Sequence, residues 1–141
     1  AAAAAAATVG FKAATAALIA LKNALIVSVE VAANFERGFQ VVKAITSGTS
    51  DDFKKLERDI VNVSKATEHA SGKLIKAAEV LGRAGFQADK IGPAIKTVGD
   101  LATAGGISVG SAAELSVRML KSFGMQLDSL PKIANMLATA C

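Results

Sequence analysis

Residues 105–110, Gly-Gly-Ile-Ser-Val-Gly, are the stretch whose composition comes nearest to a phosphate cradle. A Walker loop ends in Gly-Lys-Ser/Thr so that a lysine reaches the phosphates, but here Gly110 is followed by Ser111 and Ala112. A dinucleotide loop follows a strand, whereas 94–104 has the spacing of a helix. No nucleotide cofactor is expected. The single histidine, His69, follows Glu68 at a predicted helix end, where a cation suits the negative end of the dipole, and no nucleophile stands nearby for it to activate. Cys141, the single cysteine, ends the chain, so no disulfide can form within it, and one His with one Cys cannot supply a structural zinc site. Lys55/Asp59 and Glu114/Arg118 stand four apart and read as surface helix pairs; Met119, Met125 and Met136 read as core filler. Catalytic, cofactor-binding and metal-binding residues are therefore all expected to be none, and the chain is not expected to be an enzyme.

The glycines have a structural reading instead. Gly85-Phe86, Gly106-Ile107 and Gly124-Met125 each follow an alanine- or leucine-rich run and precede another. A left-handed glycine just past a helix end turns the chain back, and the next apolar residue folds onto the last turn. Gly85, Gly106 and Gly124 are thus predicted helix caps with positive φ, repeating one unit of the αα-hairpin kind. Earlier in the chain, Gly48 is expected to stop a helix, with Ser50 capping the next beside Asp51 and Asp52. Ser71 is a cap candidate for the run after "HASGK". Pro93 and Pro131 are placed near helix starts, where proline is tolerated.

Residues 8–45 contain no proline and no helix-stopping turn. Phe11, Leu18, Leu25, Ala32 and Phe39 recur every seven residues, and Ala14, Leu21, Ser28, Phe35 and Val42 follow three later. These are a and d positions of a heptad helix, with Phe11, Leu18, Leu21, Leu25, Phe35 and Phe39 as its large seam residues. The seam either packs on the chain's own domain or meets a partner helix. The fold expected is all-α: a long coiled-coil-like helix over 8–46, then about five short helices in αα-hairpins over 50–141. The seven opening alanines read as a placeholder for unassigned residues, and the chain as a piece of a longer protein.

Composition narrows the function classes. Of 141 residues 52% are hydrophobic, much of that alanine, and aromatics make up 4%, all Phe. The net charge of +4 is spread along the chain, and "KKLERD" at 54–59 mixes both signs, so the one-signed stripe of a nucleic-acid footprint is missing. The densest apolar stretch contains Lys22 and Glu30, which disfavours a membrane span. A mean hydropathy of +0.42 and the apolar run 13–35 still support an alternative reading, a membrane-active or pore-forming helical module used in genome delivery.

"RAGFQADKIGPAI", "LATAGGISVGSAAELSVRMLKSFGM" and "DSLPKIANMLATA" occur in the order of the core region of phage tail tape measure proteins. Upstream, "FERGFQVVKAITSGTSDDFKKLERDIVNVSKATEHA" is similar to that family's Phe-Glu start and its "KLE" helix. The resemblance covers roughly 35–140. It implies a virion structural protein that lies in the tail tube lumen, is assembled in the host cytoplasm, sets tail length, nucleates the tube at the tail tip, and leaves ahead of the genome. The implied partners are the tail tube protein, tail-tip or baseplate hub proteins and tail assembly chaperones, with three or six copies, contact with the host membrane at infection, and no specific nucleic acid. This piece carries too many turns to be the ruler and is expected to anchor or initiate assembly.

Overall fold

The computed structural model describes the backbone of residues 2–140 and the side chains of 15–23 and 29–140. Among the described residues the fold is all-α, with no strand. Six α-helices follow in order: α1 (Ala2–Ile45), α2 (Ser50–Ala66), α3 (Ser71–Arg83), α4 (Ala88–Gly105), α5 (Val109–Ser122) and α6 (Leu130–Ala140), with a 3-10 turn at Leu127–Ser129 before the last. The chain divides into Ala1–Asn34 and a compact unit, Phe35–Cys141, which includes the last turns of α1.

Local chemistry explains most of the boundaries. α2 starts at a capping box: Asp52 N–H donates to Thr49 Oγ1 at 3.2 Å, and Thr49 N–H donates to Asp52 Oδ2 at 2.8 Å. The cap is Thr49, not Ser50, because a box needs an acid three residues on; Asp52 stands there for Thr49, whereas Phe53 would stand there for Ser50. Ser71 does not cap either. It is the first residue of α3, and the Ala70 carbonyl accepts the first bonds, from Lys73 and Leu74 N–H at 2.9 and 3.2 Å. Pro93 is the sixth residue of α4, beyond the first turn, so α4 has no proline N–H to offer the Asp89 carbonyl.

The bonds to Thr49 hold the Asp52 carboxyl below its ordinary pKa. A carboxylate whose folded pKa is depressed contributes stability above its unfolded pKa and loses it as pH falls through the folded one. Protection of the Thr49 amide against exchange, taken relative to its intrinsic rate, should therefore fall as pH drops below about 4, and Asp52→Asn should flatten that dependence. An unchanged pH profile in the variant would refute the cap's role.

The core of the compact unit is a single cluster. It takes Phe39 and Val42 from α1, Leu56, Ile60 and Val63 from α2, and Leu74, Ile75, Ala78 and Leu81 from α3. Ile91, Ile95 and Val98 come from α4, Val109 and Leu120 from α5, and Leu130 and Ile133 from α6. The main pairings skip a helix: α2 lies against α4 and α3 against α5, while α4 also meets α3, α5 and α6. Hairpins of sequential neighbours are therefore not the dominant contact. The reason lies in α4, whose buried positions Ala88, Ile91, Gly92, Ala94, Ile95, Val98, Gly99 and Ala102 form a stripe too wide for one neighbour. Small residues let α2 approach closely; the Asp59 carboxylate of α2 occupies the space that a Cβ on Gly92 would fill.

Candidate interaction surface

The groups that could do chemistry do not converge. Among the described residues no cluster of three or more His, Cys, Asp or Glu could hold a metal ion. Ion pairs among the described residues include Glu79–Arg83, Lys96–Asp100 at 2.8 Å and Lys90–Asp128 at 3.2 Å, each with at least one solvent-exposed partner and so worth little. The sequence pairs Lys55/Asp59 and Glu114/Arg118 are not among them; Asp59 turns toward Gly92 of α4 instead. Cys141 lies outside the described residues.

His69 has a role that helix-end electrostatics did not suggest. It sits in the α2–α3 turn, half-buried, and its Nε2 is 2.9 Å from the Gly99 carbonyl and 2.9 Å from Thr103 Oγ1 on α4. A carbonyl only accepts, so Nε2 carries the proton and donates. The ring is a clasp between the turn and α4, resting on the space that Gly99 leaves open. His69→Ala is expected to lower stability by about 1 kcal/mol, with His69→Gln recovering part of it. Urea titration measures this, and an alanine variant as stable as the parent would exclude the clasp.

The predicted seam divides. Phe39 is 5% exposed and lies in the core of its own chain, with Phe35 stacked on it at a ring-centroid distance of 6.1 Å. Leu18 and Leu21 remain 67% and 57% exposed. The side chains of Phe11 and Leu25 lie outside the described residues. The seam's C-terminal end is thus intramolecular core, while its exposed part is confined to the preceding segment.

The compact unit leaves a second apolar surface uncovered. Of the three methionines read as core filler, only Met119 packs against the core; Met125 and Met136 are exposed. The inward row of α6 runs Leu130, Ile133, Leu137 at helical spacing, and the core ends before the row does: the first two are buried and Leu137 is exposed. Beside it a groove of about 670 Å³ opens between the end of α4, α5 and α6, lined by Leu101, Ala104, Ile107, Leu115, Ala134 and Leu137. Lys96 and Asp100 stand in its wall, paired with each other. Apart from Lys96, Thr97, Asp100 and Asn135 the lining is apolar, a surface that suits apolar side chains. The continuous row Leu130–Ile133–Leu137 was the signal available in sequence.

Comparison with known proteins adds a lineage to this surface. The family described as phage-related minor tail protein matches residues 57–141. The chain is also similar to the tape measure protein of Pneumococcus phage Dp-1, at 25% identity over 126 residues that cover 89% of this chain and 11% of that protein. The chain thus spans about a tenth of the length of that relative. No solved structure matches.

Proposed function

The chain belongs to the phage-related minor tail protein family, and from that premise we propose that it is an anchoring segment of a tape measure protein, seated in the tail tube lumen. The observation that carries the reading is the family match over 57–141 falling on a compact unit, 35–141. A ruler converts residues to length at about 1.5 Å each when helical. The repeated reversals after α3, α4 and α5 prevent such conversion in this unit, so it serves as a fixed end from which tube assembly starts. Tail-tip or hub proteins, tube subunits and assembly chaperones are the partners this role calls for, in three or six copies set by the symmetry of the tail.

The alternative reading, a membrane-active or pore-forming module, is carried by the apolar run 13–35. Among the described residues no helix is long and apolar enough to cross a membrane.

The test is a pair of deletions in the phage that encodes the chain, read by electron microscopy. Removing codons 35–141 should abolish tails or scatter their lengths. Removing an equal number of codons from an extended helical part of the parent protein should shorten every tail by a constant amount. Uniform, proportionate shortening after the first deletion would show that this unit is ruler and not anchor.

A further inference from the structure

The last turns of α1 lie on the compact unit along one narrow stripe. Between Phe35 and Thr46 the buried residues are Phe39, Val42 and Thr46, with Phe35 and Gly38 half-buried, all on one helical side. The stripe follows α3 in the same direction. A Cβ on Gly38 would stand 2.8 Å from Ile75 Cγ2, and one on Gly82 would press on the Thr46 hydroxyl. The contact therefore relies on two positions that carry no side chain. Two features weaken it. Thr46 is only 8% exposed, and its Oγ1 has no hydrogen-bond partner among the described residues, so docking strips a hydroxyl of water without replacing the bond. The apolar burial amounts to Phe39 and Val42, whereas α4 buries a stripe from Ala88 to Ala102 among α2, α3, α5 and α6. Just beyond the stripe the chain is pinned: Ala88 N–H donates to the Ser47 carbonyl at 2.9 Å. α1 ends at Ile45, so Thr46 is the joint between a helix end held by few groups and a connection fixed to α4.

We propose that residues 35–46 are a releasable strap: they lift from α3 about Thr46 while 50–141 stay folded, and release uncovers the α3 surface at Ile75 on which Gly38 lies. The native chain thus has two arrangements, strapped and released, around one cooperative core. Release needs less free energy than global unfolding because it exposes few buried groups. Anything that binds the uncovered face of α3 shifts the balance toward the released form. The inference concerns the chain's own conformations and does not depend on a role in a tail.

The experiment labels single thiols with iodoacetamide in the 141-residue chain carrying Cys141→Ser. Val42→Cys reports the strap, Val98→Cys the core of α4, and Ala44→Cys an exposed position on the strap; both valines are fully buried. Val42→Cys should label about a hundredfold faster than Val98→Cys, yet more slowly than Ala44→Cys. Its rate should hardly change in low urea, since release exposes little surface, while that of Val98→Cys should rise steeply. Equal rates with equal urea dependence at Val42→Cys and Val98→Cys overturn the proposal, because the segment then opens only with the whole unit. A Val42→Cys rate as high as that of Ala44→Cys overturns it too, because there is then no docked state. Gly38→Ala favours helix but crowds Ile75, so it should quicken labelling of Val42→Cys about tenfold and leave Val98→Cys unchanged. No change in either rate, or an equal rise in both, counts against the strap. Thr46→Ala removes the hydroxyl without pressing a larger atom on Gly82 and should slow labelling of Val42→Cys; faster labelling there refutes the strap as described.

Discussion

Replacing Ile95 by alanine is expected to cost the compact unit about 2–5 kcal/mol and to lower its melting temperature on the order of 10–20 °C. Ile95 is fully buried in the middle of α4, the helix that meets α2, α3, α5 and α6. Truncation removes three methyl or methylene groups from water-free surroundings and leaves a void that four helices would have to shift to fill. Because all four hold one another in place, the void stays largely open, which puts the cost toward the upper part of the range. Leu115→Ala is the control, since its side chain is already 42% exposed in the groove and its loss should cost under about 1 kcal/mol. Urea unfolding measures both. The slope against denaturant should stay that of the parent, the mark of lost stability without a change in the cooperative unit. A loss below about 1 kcal/mol at Ile95 would mean that α4 is not the centre of this core.

How much of this could be read in advance depends on the range of the interaction involved. The all-α class was legible because periodicity of apolar residues and glycine caps are local, acting within one or two turns. The cap of α2 was misplaced by one residue because Ser50, Thr49 and Ser47 all suit the position, and only the reach of Asp52 back to the Thr49 N–H selects among them. The seam was legible as a stripe but not as a destination: seven-residue spacing is the same whether Phe39 packs in the core of its own chain or on another helix. His69 was misread for a similar reason. Its partners, Gly99 and Thr103, lie 30 and 34 residues away, and no spacing in the sequence announces them. The groove follows from an ending rather than a pattern. Leu137 continues the row of Ile133 without interruption, and only the packed structure shows that the core stops between them.

Replacing Gly106 by valine is expected to cost about 1–2 kcal/mol, wholly through the backbone. Gly106 has φ +61°, and nothing lies within 4 Å of a Cβ built on it, so a side chain there meets no neighbour and the penalty is conformational. Its N–H donates to the Thr103 carbonyl at 3.3 Å, and the next, Ile107 N–H, donates to the Ala102 carbonyl at 3.0 Å. Gly85 and Gly124 repeat this pair of bonds, with Phe86 N–H on Leu81 and Met125 N–H on Leu120, at φ +95° and +60°. The same closing motif at three helix ends gives Gly106 a structural role and engages the Gly106 and Ile107 N–H groups in the cap. Gly105 is the last residue of α4, and the Ser108 hydroxyl accepts the Ser111 N–H at 3.1 Å as the cap of α5. Gly110 is already inside α5. Asparagine tolerates left-handed backbone better than a β-branched residue does, so Gly106→Asn should cost clearly less than Gly106→Val. Denaturant titration of the three chains gives the order Gly, Asn, Val. A valine variant as stable as the parent would contradict the left-handed cap, and one that kept full stability while losing affinity for inorganic phosphate would restore the anion-binding reading of these glycines.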